Sequence, residues 1–147
     1  MQRRTFCLGA LFAAAAPSLP AIAEPIHGTL YKDPNCGCCE GYAAYLRQNG
    51  FTVDVKPTND LAEISQKAGV PEKFQGCHTM FMSDYVVDGH VPVEVIRKLL
   101  SERPQIAGIT LPGMPVGSPG MYGEKKAPFT IYAVTKDGAA PTVYAVV

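Results

Sequence analysis

The chain has no excess charge of either sign, with thirteen Lys and Arg against thirteen Asp and Glu. It also has no basic run, so nucleic-acid binding, which needs clustered cations against phosphate, has little support. No segment promises a permanent membrane anchor. The apolar run from Phe6 to Ala16 is far shorter than the roughly 20 residues that span a bilayer. Tryptophan is absent, and nothing follows from that. Charged residues are only 18%, but apolar residues at 47% are ordinary for a globular protein and argue against disorder. The 147 residues suffice for one real core rather than two.

The first 23 residues read as a cleaved signal peptide. Arg3-Arg4 open it, the apolar run follows, and Ala21-Ile22-Ala23 gives a small-x-small cleavage pattern. The Arg3-Arg4-Thr5-Phe6 start resembles a twin-arginine export signal. Cys7 precedes the apolar run, so it is not a lipoprotein site but a discarded residue. Residues 24–147 are then a single exported domain without a membrane span.

That domain keeps Cys36, Cys38, Cys39 and Cys77. An even count in an exported protein usually means disulfides. Here three thiols crowd into four residues, a Cys38–Cys39 bridge would be badly strained, and only one distant partner exists. Chemistry is therefore favoured over structural staples. The thiols lie where a helix begins, and orphan N–H groups and the helix dipole there favour thiolate. A soft cation relieves the repulsion among such thiolates.

In order, Thr29 to Lys32 reads as a strand. Asp33-Pro34-Asn35 reads as a turn with Asn35 or Asp33 as helix cap, and Cys38 to Asn49 as a helix closed by Asn49-Gly50. Phe51 to Lys56 alternates as a half-buried strand, and a helix capped by Asn59 or Asp60 runs to Ala68. The helix between these strands predicts a right-handed parallel unit with the thiol loop at the strand's carboxyl end. Met80-Phe81-Met82 and Tyr85-Val86-Val87 read as a hairpin, and Val93 to Arg103 as a third helix with Pro92 in its first turn. Ala107 to Tyr122, dominated by Gly, Pro and Met, reads as a long functional loop, and Phe129 to Thr135 with Thr142 to Val147 as a closing hairpin.

Thiolates supported by imidazole and thioether suit Cu(I) and Zn(II), not Mg or Ca. On a first helical turn Cys36 and Cys39 share a face, with Cys38 roughly 100° away. One metal takes all three only with difficulty, while sulfur-bridged metals do so readily. More than one Cu(I) is thus the sharper expectation, and a single zinc the duller one. His90 is a candidate ligand at a strand end, and Met114 and Met121 are candidates in a loop without core duty. His78, alternating with Cys77 along a strand, reads as a structural hydrogen-bonder, while Met80 and Met82 read as core.

The order strand, CxxC, helix, strand, helix, hairpin, helix is close to the thioredoxin plan, an α/β fold with a mixed central sheet flanked by helices. The Gly/Pro/Met-rich loop and the last hairpin are additions to it. One departure is Gly76-Cys77-His78-Thr79, where thioredoxin-like redox proteins open the third core strand with a proline. The sequence is similar to the periplasmic copper-resistance proteins of the CopG type. The likeness rests on Cys36-Gly37-Cys38-Cys39, Cys77-His78-Thr79, Gly89-His90-Val91-Pro92 and the run from Leu111-Pro112-Gly113-Met114 to Pro119-Gly120-Met121. The resemblance implies a thioredoxin-like fold, export to the periplasm and a cysteine-bridged multinuclear copper site. It also implies a role in copper resistance through Cu(I)/Cu(II) interconversion, with copper-handling proteins or an electron-transfer protein as partners. Two alternatives stand beside it: a thiol–disulfide oxidoreductase using Cys36 and Cys39, and a zinc or copper metallochaperone without catalysis.

Overall fold

The computed structural model describes residues 24–147; the signal peptide expected over residues 1–23 lies outside them. Seven strands form one mixed sheet: β1 (His27–Lys32), β2 (Thr52–Pro57), β3 (His78–Met82), β4 (Tyr85–Asp88), β5 (Gly108–Thr110), β6 (Thr130–Val134) and β7 (Thr142–Val146). Their spatial order is β2-β1-β3-β4-β5-β6-β7. Three helices flank it: α1 (Gly37–Gln48), α2 (Leu61–Lys67) and α3 (Val93–Glu102). β1 and β2 are parallel across α1, as the crossover argument requires, while β3 runs antiparallel to β1.

One row of the sheet fixes the register of the centre. Leu30 pairs with Met80, Met80 with Val87, and Val87 with Ile109, and all four are fully buried. They pack with Tyr42 and Leu46 of α1 and with Ile96 and Leu99 of α3 in one core. Each large apolar side chain removed from water there stabilises the fold by about 1.5–3 kcal/mol. A slip of one residue would carry this whole row to the other face. That other face meets α2 through the Ser65 and Thr79 hydroxyls, 2.5 Å apart, and through a small cluster of Val70, Val86 and Val134. The expectation that Met80 and Met82 are core residues holds.

Three local expectations are corrected. The stretch from Ala107 does not begin as loop. Gly108–Thr110 is a strand parallel to β4, and it joins the central sheet to the closing hairpin. A Cβ on Gly108 would collide with the Val86 carbonyl, so the glycine that suggested a loop is instead what allows the strands to approach. Neither Asp33 nor Asn35 caps α1. Cys36 is the N-cap and makes no side-chain cap bond, while the Asp33 carboxylate accepts from the Asn35 N–H at 2.8 Å. Asp60 precedes α2 without a side-chain cap, and its own N–H donates to Thr58 Oγ1. No helix among the described residues is long and apolar enough to cross a membrane.

Candidate metal centre

β1 ends beneath the cysteine turn, and its last residue organises that turn. The Lys32 side chain is only 4% exposed, which is unusual for lysine. Its ammonium donates to the carbonyls of Cys36 at 3.1 Å, Asp33 at 3.3 Å and Pro34 at 3.4 Å. These bonds hold the loop that delivers Cys36, Cys38 and Cys39. Cys77 approaches from the residue before β3. The Asp88 carboxylate at the end of β4 fixes that approach, accepting from the Gly76 N–H and from the Thr79 hydroxyl.

The four sulfurs meet at one point. Cys38 Sγ lies 3.4 Å from Cys36 Sγ and 3.7 Å from Cys77 Sγ, and Cys39 Sγ lies 3.5 Å from Cys77 Sγ. Cys36 and Cys39 are joined as a disulfide, leaving Cys38 and Cys77 as free thiols. In this oxidised form Cys36 and Cys39 are not thiolates, so ligation through all four cysteines requires reduction of that bond. The pairing falls on the two residues expected to share a helix face. Asp33, Asn35, Leu61 and Met114 rim an open cleft of about 420 Å³ that Cys36, Cys38 and Cys77 also line, so the cluster is reachable from solvent.

The other expected residues divide. His90 is buried, with Nε2 3.1 Å from Cys77 Sγ and Nδ1 2.6 Å from the Pro119 carbonyl. A carbonyl only accepts, so Nδ1 carries the proton and the Nε2 lone pair faces the thiol. A backbone partner that fixes the tautomer in this way is characteristic of metal-ligating histidines. Met114 is half exposed, with Sδ 3.9 Å from Cys38 Sγ. Met121 makes no sulfur contact to these cysteines among the described residues, and its N–H donates to the Ser118 carbonyl.

His78 is the residue that sequence reasoning underrated. It is fully buried, its Nδ1 is 3.8 Å from Cys77 Sγ, and its ring stacks on Tyr42 at 4.7 Å. Cys39, Cys77, His78 and His90 have donor atoms within 4.8 Å of one another, as do the four cysteines. The alternation rule failed because Cys77 precedes the strand rather than belonging to it.

Burial disfavours charge on Cys77, His78 and His90. Burial, with the neighbouring Cys38 adding to it, pushes the Cys77 thiol up to about 12. Burial, helped by His90, holds His78 down at about 3. Burial also lowers His90, against the opposing pull of the Pro119 carbonyl. Both imidazoles therefore keep a lone pair at neutral pH, and a metal binding Cys77 must displace a proton. The donor set fits a soft or borderline cation.

The strap over the site, residues 111–121, is pinned by glycine contact. A Cβ on Gly120, whose φ is +78°, would stand 2.7 Å from Gly41 C and from Tyr42 Cα. Only a glycine there lets the strap lie on α1 and aim the Pro119 carbonyl at His90.

A family described as "Protein of unknown function, DUF411" matches residues 74–121, the stretch carrying Cys77, His78, His90 and the strap. Two solved structures of a copper resistance protein CopG, its Form 2 and Form 1, share 37% identity with the chain at a TM-score of 0.77. They cover 84% of this chain and 99% and 98% of their own. The chain belongs to the CopG family. The match extends over nearly the whole described region. No curated protein sequence matches the chain.

Proposed function

We propose that this CopG-family chain binds copper as Cu(I) at a cysteine-bridged site holding more than one ion, and serves copper resistance by interconverting Cu(I) and Cu(II). The observation that carries this reading is the convergence of four cysteine sulfurs within 4.8 Å of one another. His90 adds an imidazole lone pair, and Met114 stands at the open side. Thiolates are soft donors suited to Cu(I), and each can be shared between two ions. Cys36, Cys38, Cys39 and Cys77 are the bridging thiolates once the Cys36–Cys39 bond is reduced, His90 is an end ligand, and Met114 and Met121 complete or shield the site. Copper is bound as substrate or cargo. Residues 1–23 direct the chain to the periplasm and are removed near Ala23, which N-terminal sequencing of the exported protein checks.

The test is the number of Cu(I) ions bound by reduced chain under anaerobic conditions, with X-ray absorption at the copper edge. More than one copper per chain with sulfur neighbours is expected, and Cys38→Ser lowers the number. One copper or fewer per chain removes the cluster from the account. The Cys36–Cys39 disulfide favours a second reading, thiol–disulfide exchange with protein substrates. Insulin reduction that survives both Cys38→Ser and Cys77→Ser would support that reading instead.

A further inference from the structure

The disulfide divides the four cysteines unequally. Bonding Cys36 to Cys39 spares the two thiols that make the close contacts to a histidine and a methionine, although Cys39 also lies within 4.8 Å of the His78 and His90 donor atoms. Cys77 keeps His90 Nε2 at 3.1 Å, and Cys38 keeps Met114 Sδ at 3.9 Å. Bonding Cys38 to Cys77 instead, 3.7 Å apart, would consume both sulfurs that the histidine and the methionine face. The Cα atoms of Cys36 and Cys39 are 5.6 Å apart on one helical turn, within the usual range for a bridge. The oxidised protein thus retains a thioether, two thiols and an imidazole in successive contact, Met114 to Cys38, Cys38 to Cys77 and Cys77 to His90. That is a donor set for Cu(I) rather than for Cu(II).

We propose that Cys36 and Cys39 are the electron source for reduction of Cu(II), and that Cys38, Cys77, His90 and Met114 form the set that retains Cu(I) afterwards. This deepens the copper-interconversion reading and rests on it. The balance is two Cu(II) plus the two thiols of Cys36 and Cys39 giving two Cu(I), one Cys36–Cys39 disulfide and two protons. One electron leaves each sulfur, the S–S bond forms and both S–H bonds are lost. The reaction is a single turnover for each reduced chain. Oxidation changes the site from four thiols to two without dismantling it, because each spared thiol lies against a disulfide sulfur, Cys38 against Cys36 and Cys77 against Cys39.

The test adds cupric sulfate anaerobically to fully reduced, copper-free chain. Cu(I) is read with a chromogenic cuprous chelator, and the bridge is located by non-reducing peptide mass mapping, which separates these cysteines from Cys7. The expected result is two Cu(I) per chain, a Cys36–Cys39 bridge, and unmodified Cys38 and Cys77. The Cys36→Ser/Cys39→Ser double variant loses Cu(II) reduction, whereas the Cys38→Ser/Cys77→Ser double variant loses its Cu(I) to the chelator at least tenfold more readily than wild type. A bridge mapped to Cys38–Cys77, a Cys36→Ser/Cys39→Ser variant that reduces Cu(II) as wild type does, or wild type that leaves Cu(II) unreduced overturns the proposal. Direct titration of the same reduced chain with Cu(I) separates the two ideas. Tight Cu(I) binding without Cu(II) reduction defeats only this inference, whereas absence of Cu(I) binding defeats the copper reading beneath it.

Discussion

Gly120→Ala tests whether the strap orients His90 for the proposed copper site. The added methyl group meets two penalties that can be separated. The first is conformational: φ at Gly120 is +78°, and an L side chain there costs about 1–2 kcal/mol. The second is steric, because the new Cβ would stand 2.7 Å from the Gly41 carbonyl carbon and from Tyr42 Cα. Those are backbone atoms of a packed helix and cannot swing aside, so overpacking adds about 1–3 kcal/mol. Gly138→Ala supplies the control, since its φ is +76° and nothing lies within 4 Å of its Cβ. It carries the first penalty without the second. Urea unfolding of the copper-free chain should therefore place Gly120→Ala at least about 1 kcal/mol below Gly138→Ala. A strap lifted off α1 also takes the Pro119 carbonyl from His90 Nδ1. Cu(I) affinity, measured by chelator competition, should then fall by roughly tenfold or more in Gly120→Ala and hold in Gly138→Ala. Equal unfolding midpoints and equal Cu(I) affinities for the two variants would refute the reasoning.

Two further expectations concern the groups packed around the site. Burial holds the Asp88 carboxyl up at about 6 against an ordinary 3.8, and holds His78 down at about 3 against 6.5. The Asp88 contribution to stability is fully present below the ordinary value and is lost as pH rises through about 6. The His78 contribution is present above 6.5 and is lost as pH falls toward 3. Between about pH 4 and pH 6 the two slopes oppose, each at most about 1.4 kcal/mol per pH unit. Asp88→Asn removes only the first, so its copper-free stability relative to wild type should climb with pH across that window in urea titrations; parallel profiles would contradict this. Tyr42→Phe removes the hydroxyl that donates to the buried Val91 carbonyl at 2.7 Å. It should cost about 1–3 kcal/mol of stability while leaving the number of bound Cu(I) ions unchanged, and a changed copper number would make Tyr42 more than scaffolding.

Element order was legible because period and punctuation agree along most of the chain. Phe51 to Lys56 alternates, Pro57 stops it, and Thr52–Pro57 is a strand. Val93, Ile96, Leu99 and Leu100 repeat at helical spacing, and Val93–Glu102 is a helix. β5 was not legible: three residues give no period to read, and Gly108 signals a loop unless the Val86 carbonyl beside it is known. What holds the turn before α1 was hidden for a related reason. Asp33 and Asn35 have the right chemistry, but the ammonium that holds the turn belongs to Lys32, a residue that composition assigns to the surface.

The site divides along the same line. Cys36, Cys38 and Cys39 are adjacent in sequence, so their proximity was never in question. What a sequence cannot supply is the angle at which a distant residue arrives. Cys77 and His90 are brought in by the β3–β4 hairpin, whose two ends lie side by side because Thr79 pairs with Asp88. That pairing places Gly76 against the Asp88 carboxylate and Gly89 against the His78 carbonyl, so Cys77 and His90 leave the sheet together, toward α1. His78 follows them inward because it is the first residue of β3 and stacks on Tyr42. The hairpin register is thus the physical origin of the Cys77–His90 contact. Slipping it by one residue would leave the cysteine turn intact and its sulfurs without either imidazole.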